Sequence, residues 1–218
     1  MTAVQDPNSP QAQFALQREV QSVSVATQTR YRIKRKFWSF FDRKFYVQTM
    51  DEQPILFVKH PLFKFREEFK ICTDETETVP VFKLKSRQIL AINFCYDLTD
   101  ANTGALVATI QKKGFRSLLR DKFHLLDVNG QEFGTMEEKG ASILRRFFPW
   151  LTSKHEILIG GVRAGFVTQI FRFFNKEFEV EVTPGVADQR FILSCALLAV
   201  IAESKRENGG GGMNFLGN

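Results

Sequence analysis

Short runs along most of this chain alternate apolar and polar residues, the pattern of half-buried strands. The last run is the clearest: Phe178, Val180 and Val182 alternate with Glu177, Glu179 and Glu181. The first sets Arg30, Arg32, Lys34 and Lys36 against Tyr31, Ile33 and Phe37, with Arg35 falling on the apolar side. That places Arg35 at a rim or marks a slip in register. A motif recurs within the runs: an aromatic, any residue, an aliphatic, then Asp within a few positions. It reads Phe45-Tyr46-Val47 with Asp51, Phe69-Lys70-Ile71 with Asp74, Tyr96-Asp97-Leu98 with Asp100, and Phe123-His124-Leu125 with Asp127. Two weaker copies are His155-Glu156-Ile157 and Phe178-Glu179-Val180, and successive copies start 24, 27, 27, 32 and 23 residues apart. An internal repeat of this kind fixes architecture before any single residue is interpreted.

The alternation predicts twelve strands: 30–37, 44–49, 54–60, 67–73, 79–86, 92–99, 104–112, 121–127, 131–139, 153–160, 163–171 and 176–183. Short turns close alternate pairs, with Asn129-Gly130 the strongest signal and Asn102-Thr103-Gly104 and Gly160-Gly161 beside it. The other links are longer and aromatic, as in residues 37–41, 61–65, 114–119 and 145–151. Phe191 to Ala202 is apolar on every side. That predicts a buried helix over 187–204, with Asp188 placed to cap it. A bilayer span needs about 20 apolar residues, more than this run holds. Twelve consecutive strands favour closure, because a closed sheet has no edge. A barrel that wide must be filled. The expected fold is therefore all-β with one helix, a closed twelve-stranded antiparallel barrel around a buried C-terminal apolar helix. Residues 1–29, rich in Gln, Ser and Thr, read as a disordered tail, 30–204 as the barrel domain, and 205–218 as a flexible Gly-rich tail.

Composition changes this picture little. A chain of 218 residues fits one all-β domain, and 23 Phe make its core aromatic. The cysteines Cys72, Cys95 and Cys195 are scattered and form no CxxC pair, which points to reduced thiols in a cytosolic protein. Residues 1–29 lack the apolar core of a secretory signal. His60, His124 and His155 stand far apart without metal-like spacing, and a surface or rim place is expected for each. No nucleophile elbow, zinc-protease motif or phosphate loop occurs, and Gly160 to Gly165 reads as a tight turn. Glu67/Glu68 and Glu137/Glu138 are adjacent and so point to opposite faces, unsuited to paired acid–base catalysis. The expectation is a protein that is no enzyme, with no cofactor, no metal and no small-molecule substrate.

Charge adds more. The net charge is +6, which allows an anionic partner. In an up-and-down barrel all long links leave one end and all short turns the other. Segments 34–44, 59–70, 83–88, 112–122, 139–154 and 172–177 hold 23 of the 30 Lys and Arg with five acids. Turns 49–53, 74–78, 97–104 and 126–132 hold nine acids and no Lys or Arg. One end is thus basic and aromatic, the other acidic; long links also simply have more room for Lys and Arg. Arg145-Arg146-Phe147-Phe148-Pro149-Trp150-Leu151 joins two cations to large apolar side chains. Trp favours a membrane–water interface, although these aromatics would equally serve to fold inward and cap the barrel.

The stretch Val107-Ala108-Thr109-Ile110-Gln111-Lys112-Lys113-Gly114-Phe115, running on to Arg120-Asp121-Lys122-Phe123-His124-Leu125, resembles the strand, basic pair and aromatic link of LURF-one-related proteins and phospholipid scramblases. The ending, Phe178-Glu179-Val180-Glu181-Val182, an acidic link through Asp188, then Phe191 to Ala202, is similar too. Residues 30–204 thus resemble the tubby C-terminal domain-like superfamily. That resemblance implies phosphoinositide binding through basic side chains or, in the scramblase branch, calcium-dependent lipid movement. The scramblase calcium segment would fall at Phe173-Phe174-Asn175-Lys176-Glu177, which has one carboxylate, whereas calcium takes six to eight oxygens. The metal site is not carried over.

The expected function is a non-enzymatic module that binds anionic phospholipid headgroups, phosphoinositide or phosphatidylserine, at a cytoplasmic surface such as the inner face of the plasma membrane. Its candidate lipid-binding residues are Lys112, Lys113, Arg116, Arg120, Arg145, Arg146, Phe148 and Trp150. The alternatives are a scramblase-like protein anchored by 187–204 and a nucleic-acid-binding regulator. Aromatics with Lys and Arg suit single strands, but no RNP-like or helix-turn-helix signature accompanies them.

Overall fold

The computed structural model describes residues 28–36, 42–61, 68–87, 95–112, 122–139, 152–170 and 176–210. The strands are β1 (Arg30–Lys36), β2 (Asp42–Thr49), β3 (Pro54–Pro61), β4 (Glu68–Cys72), β5 (Pro80–Ser86), β6 (Cys95–Asp100), β7 (Leu106–Lys112), β8 (Lys122–Leu126), β9 (Glu132–Lys139), β10 (Lys154–Ile159), β11 (Val162–Ile170) and β12 (Lys176–Val182). Each pairs antiparallel with its neighbours in sequence, and β1 pairs with β12 to close the barrel. The helix α1 (Gln189–Gly210) follows. The expected fold class is the one observed.

The repeat has a direct physical meaning. Its aromatic and its aliphatic both point into the lumen, because side chains two apart share a face. Phe45 and Val47, Phe69 and Ile71, Tyr96 and Leu98, Phe123 and Leu125, His155 and Ile157, Phe178 and Val180 are all buried. Opposite the aromatics stand smaller or unbranched residues on the odd strands: Val58, Leu84, Ile110, Met136, Val167 and Ile33. Large and small thus alternate around one inner layer. Just after the aliphatic, β2, β4, β6, β8 and β10 each show a shift in register, at Val47/Gln48, Ile71/Cys72, Leu98/Thr99, Leu125/Leu126 and Ile157/Leu158. Each shift leaves one extra residue on the facing odd strand: Ile55, Val81, Val107, Phe133 or Ala164. All five pack with the core. Such bulges bend strands and increase their twist, as a closed sheet requires.

The motif's Asp organises the turn. Asp100 Oδ1 accepts from the Asn102 and Thr103 N–H groups at 2.9 and 2.8 Å. Asp127 Oδ1 accepts from Asn129 N and Gln131 N, and Asp74 Oδ1 from Thr76 N at 2.8 Å. Gly160 and Gly161 both have positive φ, as a two-residue hairpin turn requires.

The seam between first and last strands is set by charge as well as by packing. Its outward residues face each other as Arg30 and Glu181, Arg32 and Glu179, Lys34 and Glu177. Arg30 and Glu179 form an ion pair. A one-residue slip would turn the charged row inward. Arg35 resolves accordingly: the register of β1 is unbroken on both sides, and the residue lies at the rim, facing in.

Helix α1 fills the lumen. Phe191 to Ile201 are all buried, and the hydroxyl of Ser194 donates to Arg190 O at 2.7 Å. Burial pushes the Cys195 thiol up to about 12, and all three cysteines are free and buried. Asp188 caps the start, accepting from Arg190 N at 2.7 Å. The helix begins at 189 rather than 187 and runs to 210 rather than 204. No proline or capping residue stops it before the glycines, and Lys205, Arg206 and Glu207 are good helix formers. It therefore takes in the start of the stretch read as a flexible tail. The expected tail 1–29 and the aromatic links fall almost wholly outside the described residues.

Two outcomes test this packing. A Cβ on Gly165 would lie 2.8 Å from Ile192 Cγ2, so Gly165→Ala should destabilise the fold by about 1–3 kcal/mol in urea melts. Unchanged stability would mean that the helix does not press on β11. The Thr103 N–H, with help from the Asn102 N–H and the Thr103 hydroxyl, holds the Asp100 carboxyl below its ordinary 3.8, and the Thr76 hydroxyl does the same for Asp74. A depressed folded-state value contributes stability above the unfolded value, and that contribution is lost as pH falls through the folded one. The melting temperature should therefore fall below about pH 4, and less steeply in an Asp74→Asn/Asp100→Asn variant.

Candidate functional site

Strand order divides the barrel into two ends. The turns joining β2 to β3, β4 to β5, β6 to β7, β8 to β9 and β10 to β11 lie at one end, and the strand ends joined by the long links lie at the other. The helix enters at the turn end, where Tyr31 Oη lies 2.8 Å from Gln189 Oε1, and its C-terminal half reaches the link end. Its positive N-terminus thus meets the acidic turns and its negative C-terminus the basic end, a favourable alignment of the helix dipole.

At the link end the inner row stops being apolar. Arg35 on β1 and Arg43 on β2 both donate to the hydroxyl of Ser204 on α1, at 2.6 and 2.8 Å. Lys176 of β12 is the direct cross-strand partner of Arg35. The Ser153 hydroxyl donates to Glu203 Oε2 at 2.7 Å, and His155 Nε2 lies 3.2 Å from the same oxygen. Gln169 Oε1 accepts from Ser153 N at 3.0 Å. Glu138, Ser153, His155, Glu203 and Ser204 are buried. His60 is buried too and meets the Phe69 ring edge-on at 5.0 Å. The mouth is therefore polar along β9, β10, β11, β12, β1, β2 and β3, and the helix turns its own polar residues toward that arc.

Two expectations need correction here. His60 and His155 are not surface residues: both stand near the rim at the link end, but each is 1% exposed. The repeat held the signal for His155, since it occupies the aromatic, inward slot of the fifth copy. Its partner Glu203 explains why a polar ring replaces the aromatic there. His124 does face outward, 2.6 Å from Glu132 Oε2. Glu137 and Glu138 take opposite faces as expected.

Of the candidate lipid-binding residues, Lys112 alone is among the described ones. It stands at the end of β7 opposite Phe123, with its ammonium 5.8 Å above that ring, and so faces the mouth rather than the outer wall. Lys113, Arg116, Arg120, Arg145, Arg146, Phe148 and Trp150 lie outside the described residues. Sequence reasoning missed Arg43 and Lys176, although the alternation already puts both in the inward rows, Arg43 two before Phe45 and Lys176 two before Phe178.

Chemically, the mouth offers cations and a locked carboxylate. The Ser153 proton goes to a carboxylate instead of an imidazole, which is not the arrangement of an activated nucleophile. Among the described residues no group of His, Cys, Asp or Glu side chains could hold a metal ion. Compared with the models of known protein families and with curated proteins, the chain matches none.

The buried pair carries a prediction. His155→Phe would restore the repeat's aromatic but remove the imidazole that lies 3.2 Å from Glu203 Oε2. It should cost about 2 kcal/mol, as for a buried polar group that loses a hydrogen-bond partner, with much of the loss recovered in His155→Phe/Glu203→Leu. Additive losses in that double-mutant cycle, read by urea denaturation, would show that the two side chains are not coupled.

Proposed function

We propose that this protein is a non-enzymatic module that binds anionic phospholipid headgroups at a cytoplasmic membrane surface through the link end of its barrel. The observation that carries the reading is the separation of charge along the barrel axis. Every strand end that leads into a Lys- and Arg-rich link lies on one side, and the turns that hold acids without Lys or Arg lie on the other. Basic residues near an anionic leaflet contribute about 1 kcal/mol each, so cations gathered at one end outweigh the same number scattered. Lys112 stands at that end; Lys113, Arg116, Arg120, Arg145, Arg146, Phe148 and Trp150 belong to the links that leave it. The likeness to the LURF-one-related and scramblase branch of the tubby-like superfamily points the same way, and we count it as part of the proposal.

Lipid scrambling is the weaker alternative. The apolar helix that would have anchored it is packed in the lumen, and among the described residues no helix is long and apolar enough to cross a membrane. The outer wall carries Arg30, Arg32, Lys59, Lys70, Lys83, Lys85 and Glu181 at or near the surface, where a membrane-spanning barrel presents an apolar band.

Liposome co-sedimentation tests the reading. The protein should pellet with vesicles containing phosphatidylserine or phosphoinositide, not with neutral phosphatidylcholine, and binding should fade as salt rises. Reversal of Arg145 and Arg146, or of Lys112 and Lys113, to Glu should lower the affinity by about tenfold or more. Unchanged affinity in both double variants would refute it. Competition by single-stranded DNA at physiological salt would move the reading to nucleic acid.

A further inference from the structure

We infer that the outer wall of β2–β5 carries a docking site for an extended acidic peptide segment of a partner protein, laid across the strands against Lys44, Lys59, Lys70 and Lys83. This surface is separate from the mouth of the barrel and from the links to which the membrane reading assigns lipid.

Register puts the four lysines in one row. Lys44 stands directly opposite Lys59 across β2 and β3, and Lys70 directly opposite Lys83 across β4 and β5. Between them, β3 and β4 pair Phe57 with Cys72 and Val58 with Ile71, so the next step of that register sets Lys59 opposite Lys70. The same level continues to Lys36 of β1. The chain neighbours Phe45, Val58, Phe69 and Leu84 are buried in the core, so the alternation turns the four lysines outward. Lys59, Lys70 and Lys83 are exposed and Lys44 is half-buried.

Like charges directly opposite destabilise a sheet, and here they recur across four adjacent strands at one level. A local rule broken repeatedly in an otherwise consistent fold is the mark of a functional surface. One carboxylate already meets the row: Glu75, from the turn between β4 and β5, lies 3.7 Å from Lys44 Nζ. A single contact between partly exposed groups is worth little. A chain bearing several carboxylates would repeat it from strand to strand.

The chemistry of the row favours a peptide. Ammonium groups are point charges without the planar fork that matches phosphate, so they select charge and spacing. Base stacking needs open aromatic faces, and the rings beside the row turn to each other. Tyr46 and Phe57 have centroids 5.2 Å apart, and Phe57 is 2% exposed. The row also runs around a convex wall, over four of twelve strands. A flat lipid surface meets part of such a row at a time, whereas a flexible chain follows all of it. Strands lie about 4.8 Å apart, and the lysine tips fan wider; side chains on one face of an extended chain recur about every 6.7 Å. Four carboxylates at alternate positions, roughly seven residues, therefore span the row.

The test uses the full chain and a fluorescein-labelled decaglutamate, with binding read by anisotropy. The peptide should bind, and more weakly as salt rises. Lys70→Gln/Lys83→Gln should weaken binding by about fivefold or more. Lys122→Gln/Lys154→Gln, which removes the same charge from β8 and β10, should leave it within about twofold. The row variant should melt no lower than the unaltered protein, because it relieves a like-charge pair; lost binding is then not lost folding. Its co-sedimentation with phosphatidylserine vesicles should match that of the unaltered protein. Absence of decaglutamate binding overturns the proposal, as do equal losses in the two variants, which would mean general charge. Row-dependent binding of oligothymidylate tighter than that of decaglutamate overturns it in favour of nucleic acid. Loss of vesicle binding in the row variant with peptide binding unchanged overturns it in favour of lipid.

Discussion

A sheet of twelve strands closed on itself encloses more space than its own side chains can fill, and the rest of this structure follows from that. An empty lumen would forfeit the dispersion contacts and apolar burial that hold a fold together. The chain meets the need with one helix, apolar on all sides, that no surface position would suit. Its run from Phe191 to Ile201 has no exposed face. Gly165 lets it approach β11 closely. Elsewhere the distance between helix and wall is taken up by the rings of Phe45, Phe69, Tyr96, Phe123 and Phe178.

Closure imposes its own conditions, which the repeat meets in three ways. The inward aromatic and aliphatic of each copy fill two levels of the lumen. The register shift that follows the aliphatic in five copies adds an apolar residue near the turn end and increases twist. The Asp that ends four copies leads into the turn, and in three of them its carboxylate holds backbone N–H groups there. The last strand lacks the shift because it leads into the helix rather than a hairpin. What joins it to the first strand is a run of Arg and Lys against a run of Glu. This rejects slipped registers by leaving like charges unmatched or charged rows buried.

The filled lumen also shapes function. The helix occupies the lumen, and the polar groups among the described residues lie toward the two rims. At the turn end the Asp residues are occupied with backbone groups. At the link end the helix brings Glu203 and Ser204 into the mouth, where His155, Ser153, Arg35 and Arg43 meet them. The polar arc therefore seats the helix.

The fold was legible in the sequence because its causes are local and periodic. Alternation at period two marks strands, Gly and Asn-Gly mark turns, and an apolar run too short for a membrane marks a buried helix. Even the inward facing of His155 was present in the repeat, although a single histidine read alone suggested a surface place. The candidate site was legible as charge at one end and, for Arg35, as a cation on the apolar side of the first strand, but not as a set of contacts. The register shifts lie toward the turn end, so the alternation of β1, β2 and β12 runs unbroken to the link end; what no short window of sequence contains is which helix residues those side chains meet. The meeting of Arg35 and Arg43 on Ser204, and of Ser153 and His155 on Glu203, joins residues more than forty positions apart. Only the closed barrel, with the helix threaded along its axis, brings them together.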